Sequence, residues 1–195
     1  MAITKNIPTD RFGIKEVADV HFFEITDDSA ESAAATVSAF ADTGTAVISF
    51  DTLKVSTIES TAENAEARGG KGNAALISWD YGREINVNIE DALMSMETLA
   101  LLFENDTTAE GGTVVINANK FPGTYAVVGT TYARNEIDGK DHIFKFVIPK
   151  AKIQSETTLT MEAEGDPTVI GMTLKVLRAK NGDMMALIRD ENPVD

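Results

Sequence analysis

Hydrophobic and polar positions alternate along most of this chain, most cleanly over Arg83–Glu90. There Ile85, Val87 and Ile89 alternate with Glu84, Asn86, Asn88 and Glu90, the period of a strand with one face in a core and the other in water. The period then changes. Ala92, Leu93, Met96, Leu99, Ala100 and Phe103 fall on one stripe of a 3.6-residue repeat. Glu90 and Asp91 stand where carboxylates cap free amides and favour the helix dipole. The polar stretch Glu104–Gly112 ends the stripe, so a helix is predicted over 90–104.

The remaining periodic segments are short and β-like. Val17–Thr26 reads as a strand, with Val20 and Phe22 set against His21 and Phe23. Asp27–Asp42 is small and polar and supports either a loop or a short helix capped by Asp28 or Ser29. Thr45–Ile58 is β-branched and alternating, one long strand or two joined by a bend. Ala75–Trp79 and Arg83–Glu90 are strands around Tyr81-Gly82, and Thr113–Ala118 and Gly123–Ala133 follow the helix. Asp138-Gly139 predicts a hairpin turn into His142–Pro149, where Phe144, Phe146 and Ile148 share a face. Pro149 is expected to interrupt the ladder before Ala151–Ala163. Gly165-Asp166-Pro167 turns the chain into Thr168–Leu177, and Asn181-Gly182 predicts a last hairpin into Met184–Ile188. Three successive hairpins imply an antiparallel meander.

One segment lacks any periodic apolar face. Glu59–Asn73 (ESTAENAEARGGKGN) is built of Ala, Glu and Gly, so by itself it is expected to be a mobile arm. The sum is a single domain over 1–195 of α+β, mainly β class: an antiparallel β-sandwich or barrel-like domain, one flanking helix and a long protruding loop.

Composition narrows the function. The hydrophobic fraction of 43% is enough for a buried core at this length. There is no cysteine, which removes disulfides, thiolate metal sites and thiol nucleophiles together. The start, MAITKNIPTDRFG, has Lys5, Pro8 and Asp10 where a secretory signal needs an apolar run. No apolar stretch is long enough to span a bilayer. The expectation is a soluble protein made in the cytoplasm. The formal charge of −14 opposes nonspecific binding to nucleic acid, whose affinity comes from neutralised phosphates. Charge alone does not separate simple solubility from a surface past which nucleic acid slides.

Candidate chemistry is thin. The two histidines, His21 and His142, have no metal-ligand spacing. Asn135–Asp141 offers oxygens but lacks the EF-hand spacing and its terminal Glu, so an Asp-Gly hairpin explains it. Glu162, Glu164 and Asp166 read as strand-end and turn residues. Arg68-Gly69-Gly70-Lys71-Gly72-Asn73 is not a P-loop, because Lys71 is followed by Gly72 and Asn73 and the next element is extended. Its two cations framed by glycines suit a loop that docks on an acidic neighbour, and this chain is itself acidic. No Gly-x-Ser-x-Gly elbow is present, and one tryptophan with three tyrosines is little for a sugar platform. No catalytic residue, cofactor or metal is assigned.

Three stretches carry a family resemblance: Arg68–Asn73 with Leu76-Ile77-Ser78-Trp79, Ile85–Phe103 with Glu90-Asp91-Ala92-Leu93-Met94-Ser95 at its junction, and Phe146–Ile153 followed by Leu159–Pro167. On these residues the chain resembles a bacteriophage tail tube protein, although Asp27–Asp42 carries no resemblance of its own. The resemblance implies copies joined into hexameric rings, with inner strands of neighbours in a continuous barrel and rings stacked into a tube through which DNA passes unbound. It implies partners: other copies of this chain, tape-measure, tail terminator and baseplate proteins, a sheath if the tail contracts, and no membrane. The residues expected to grip a neighbour are Glu59, Glu63, Glu66, Arg68, Gly69, Gly70, Lys71, Gly72 and Asn73. Another virion or capsid-stabilising protein would share the absence of chemistry. A cytoplasmic binding module or enzyme would need a pocket of converging polar groups.

Overall fold

A computed structural model describes residues 11–14, 19–25, 31–40, 44–93, 95–104, 112–154 and 169–194. In chain order the elements are β1 (Phe12–Ile14), β2 (Asp19–Glu24), α1 (Ala33–Phe40), β3 (Ile48–Phe50), β4 (Leu53–Gly69), β5 (Ala74–Asp91), α2 (Met96–Glu104), β6 (Thr124–Asn135), β7 (Asp141–Ile153), β8 (Ile170–Val176) and β9 (Ala186–Pro193). The class is the expected one, mainly β with antiparallel pairing. The elements divide between two compact units. One comprises Met1–Lys54, Tyr125–Lys150 and Arg178–Asp195; the other comprises Val55–Thr124 and Ala151–Leu177.

In the first unit the strand order is β3–β2–β6–β7, with β1 also on β6 and β9 also on β7. Phe22 meets Phe50 and Tyr125 edge-on at ring separations of 5.4 and 6.0 Å. Phe23 packs with Ala126, Val128 and Val147 and stacks on Phe40 of α1 at 4.7 Å. Gly129 is required here, since a Cβ at that position would lie 2.0 Å from the Phe146 ring. Of the two readings of Asp27–Asp42, the helix is the one observed. Its cap is Ser32, whose Oγ accepts from Ala35 N at 3.0 Å, while Asp183 Oδ2 accepts from Ala33 N at 3.0 Å. Asp28 and Ser29 lie outside the described residues. His21 hydrogen-bonds Ser49 Oγ at 2.8 Å across the β2–β3 pair, a sheet contact rather than a ligand.

The hairpin at Asp138-Gly139 forms, with Gly139 at φ 66° and Asn135 N donating to Lys140 O at 3.0 Å. The turn itself uses the oxygens that a calcium ion would need: Asn135 Oδ1 accepts from Ile137 N and Asp138 Oδ1 from Lys140 N. The Lys140 amide, followed by the His142 ring, holds the Asp138 carboxyl below its usual range. Pro149 interrupts the ladder on one edge of β7 as expected: it is buried between the stretch paired with β9 (His142–Val147) and the stretch paired with β8 (Ala151–Ile153), while the strand itself runs on to Ile153. A residue without an N–H is tolerated where the ladder changes partner. The turn at Asn181-Gly182 is real, with Gly182 at φ 106°, but β8 pairs with β7 and β5 while β9 pairs with β7. The last hairpin of the expected meander is therefore absent.

In the second unit the order is β7–β8–β5–β4. Ile85, Val87 and Ile89 are buried, and so are Ile170, Met172, Leu174 and Val176 of β8. On the opposite face Thr173 donates to Asn88 Oδ1 at 2.9 Å and Lys175 pairs with Glu84 at 2.5 Å. β5 continues to Asp91, which pairs with Ile170, so Glu90 and Asp91 serve the sheet and cannot open a helix. Helix α2 starts later, capped by Ser95, whose Oγ accepts from Thr98 N at 3.0 Å. The delay rotates the buried stripe to Thr98, Ala100, Leu101 and Leu102 and leaves Leu93 65% exposed. Thr113–Ala118 is not a strand. Asn117 folds that segment on itself, its Oδ1 accepting from Asn119 N and its carbonyl from Lys120 N, the side-chain competition that favours turns. Of Ala151–Ala163, the stretch Ala151–Ile153 belongs to β7; residues 155–163, with Glu162 among them, and Glu164 and Gly165-Asp166-Pro167 lie outside the described residues.

Candidate assembly surface

The segment expected to be a mobile arm is a β-strand. Glu59–Gly69 belongs to β4, which pairs with β5, and Gly70–Asn73 closes the turn between them. Gly70 at φ 79°, Gly72 at 94° and Asn73 at 50° supply the left-handed conformations that such a turn requires, and Asn73 N donates to Gly70 O at 3.2 Å. A composition with no apolar stripe misled because the ordering comes from β5, whose backbone supplies hydrogen bonds irrespective of the β4 side chains. The two strands expected on either side of Gly82 are likewise one, passing through Gly82 at φ 61°.

Beyond Gly82 this hairpin is an uncovered ribbon. From Gly82 to the turn it spans roughly 27 Å at a strand rise of about 3.4 Å per residue. Every β5 side chain from Ala74 to Arg83 is exposed. Its two faces differ chemically. Asn64 reaches Ser78 and Asp80 across the pair, and Glu66 and Arg68 form an ion pair, so one face is mainly polar, with Leu76 its one large apolar member. Alternation then places Glu63, Ala65 and Ala67 on the other face with Ile77, Trp79 and Tyr81. These last three are 53%, 54% and 53% exposed. Small residues on one strand opposite large ones on the other make a face with relief, suited to interdigitation.

Of the residues expected to grip a neighbour, Glu59, Glu63 and Glu66 lie along β4, and Arg68 is held by Glu66. Gly69 ends the strand. Gly70, Lys71, Gly72 and Asn73 form the tip, where Lys71 has no ion pair among the described residues. The acidic residues and the tip thus come together on one ribbon, but the apolar face was missed. Its signal was present, the alternation of Ile77, Trp79 and Tyr81 with Ser78 and Asp80. Burying two exposed aromatics of this size is worth about 2–3 kcal/mol each. A bare two-stranded ribbon is marginal alone, and a contiguous exposed apolar face marks an interaction site.

Among the described residues no cluster of three His, Cys, Asp or Glu side chains is placed to hold a metal. His142 is buried between Asp190 O at 3.0 Å and Asp138 Oδ2 at 3.3 Å, fastening β9 to the β6–β7 turn. No helix among the described residues is long and apolar enough to cross a membrane. A family model described as the YomU/Tube protein family matches residues 12–106 and 102–187. No curated protein matches the chain.

Proposed function

We propose that this chain, which belongs to the YomU/Tube protein family and is a phage tail tube structural protein, assembles into stacked hexameric rings whose bore conducts DNA. The observation that carries this reading is the β4–β5 ribbon, a structured arm with an amphipathic surface that nothing else among the described residues covers. Its role is structural rather than catalytic. Tube formation requires each copy to offer one surface and receive another, a head-to-tail contact that continues instead of closing as a pair.

The charge of −14 accompanies DNA passage without capture, because an acidic bore repels phosphate. The β5–β8 face that carries Asn88 and Thr173, hydrogen-bonded to each other, and the Glu84–Lys175 ion pair is polar, as the lining of such a bore would be. Tape-measure, tail terminator and baseplate proteins, with a sheath in a contractile tail, complete the proposed partners, and synthesis takes place in the host cytoplasm. The virion component is the assembled form.

Electron microscopy of the purified protein tests the assembly. Tubes or rings of constant diameter are expected. Replacing Ser60–Gly82 by an Asn-Gly turn, which suits a two-residue hairpin, is expected to leave a folded protein that forms neither. Normal tubes from that variant would remove the ribbon from the mechanism, and a wild type that stays monomeric at every concentration would remove the tube reading.

A further inference from the structure

The ribbon needs a receiving surface on the next copy, and the second unit carries one. Residues 112–123 (GTVVINANKFPG) form an irregular loop shaped by the Asn117 turn. Val115, Ile116 and Phe121 stand out of it, 61%, 70% and 62% exposed. This is a second apolar patch in the same unit as the ribbon, and it faces water in the isolated chain. Neither patch alone says what covers it. Charge supplies the link.

The chain has 31 Asp and Glu against 17 Lys and Arg, so contact between two copies is opposed over most of their surface. The loop is an exception, with no carboxylate and one cation, Lys120. The apolar face of the ribbon is bordered by the opposite charge, Glu63, on the same face as Ile77, Trp79 and Tyr81. Two ribbons meeting face to face and running the same way would set Glu63 against Glu63. Ribbon against loop instead matches apolar with apolar and Glu63 with Lys120.

Resting on the tube reading, we propose that the Ile77–Trp79–Tyr81 face of each ribbon docks on the Val115–Ile116–Phe121 loop of a neighbouring copy, with Glu63 opposite that copy's Lys120. The contact is heterologous: every copy donates its ribbon and receives another. Because the loop and the ribbon are different surfaces, the contact propagates without self-pairing. The exposed aromatic anchors and a surrounding charge match are the ingredients of a specific interface.

Charge reversal in separate copies tests this. Glu63→Lys alone sets two cations against each other across the contact, and Lys120→Glu alone sets two carboxylates against each other. Each variant is expected to remain folded by circular dichroism and to need a roughly tenfold or higher concentration to assemble, the effect of about 1.4 kcal/mol per contact. An equimolar mixture is expected to assemble like wild type, because contacts between the two variants can then pair unaltered ribbon with unaltered loop, or reversed ribbon with reversed loop, always with opposite charge. Trp79, the only tryptophan, reports the same contact, its emission moving to the blue on assembly and remaining unshifted in Ile116→Ser/Phe121→Ser. Variants that assemble normally alone, or that fail both alone and mixed, overturn the pairing. Assembly of the double serine variant with the full Trp79 shift overturns the loop as receiver while leaving the tube reading intact. A wild type that never assembles removes the tube reading and this contact with it.

Discussion

The two halves of β5 share one alternation and have opposite environments. From Arg83 to Asp91, Ile85, Val87 and Ile89 sit in the core, while from Ala74 to Tyr81, Ile77, Trp79 and Tyr81 stand in water. The difference lies outside the strand. In the first half β8 pairs with β5 and lines the same core with Ile170, Met172, Leu174 and Val176; in the second only β4 pairs with it, and no second layer is described. Gly82, at φ 61°, stands at the transition. Alternation thus states that one face must be covered without stating by what. In the first half the chain covers itself, and in the second another copy is proposed to do so.

The same substitution in both halves gives the largest contrast. Ile89→Ala is expected to destabilise the monomer by about 2–5 kcal/mol through lost burial and a residual cavity. Ile77→Ala, at an exposed site, is expected to change it by no more than about 0.5 kcal/mol. Urea unfolding of the two variants reads the difference, and equal losses would mean the ribbon face is already covered within the chain.

The junction gives a smaller effect. Gly82→Ala meets only the Glu63 side chain, at 3.8 Å, so space is not the obstacle. The left-handed conformation costs an L residue roughly 1–2 kcal/mol, partly offset by a stiffer unfolded chain. A loss of about 1 kcal/mol is expected, and none would mean that the backbone at this point relaxes freely.

The smallest effect is a control outside the hairpin. Asp183 is held below the ordinary carboxylate range by the Asn181 amide and then by Ala33 N–H at the start of α1. A depressed carboxyl contributes stability that is complete above its unfolded value, about 3.9, and lost as pH falls through the folded value. Lowering the pH should therefore reduce the protection of amides at the start of α1, read as exchange relative to the intrinsic rate at each pH, and Asp183→Asn should flatten that dependence. Exchange along both halves of β5 should not respond to the substitution; if it does, the contrast between them is not local.

Several features were legible because local rules settle them. The period-two pattern marked Arg83–Glu90 and Thr168–Leu177, and Asp138-Gly139 marked its turn. The start of α2 was not legible, since Glu90 and Asp91 are good first-turn residues and only their pairing to β8 withholds them. Glu59–Gly69 was unreadable for the complementary reason: its side chains specify little, and the partner strand orders its backbone. Of the assembly surface, the charged edge and the glycine tip could be read, but the apolar face could not be separated from an ordinary core face.

The sequence by itself determined the β-rich class, the absence of thiol chemistry, the excess of negative charge and the alternation that divides each strand into two faces. Those follow from residue chemistry and the strand repeat. Only the tertiary structure decided which strands run together, where α2 begins, and that one apolar face of β5 is covered while its continuation is not. Coverage depends on elements distant in sequence, so a local pattern can require it but cannot say whether the same chain provides it.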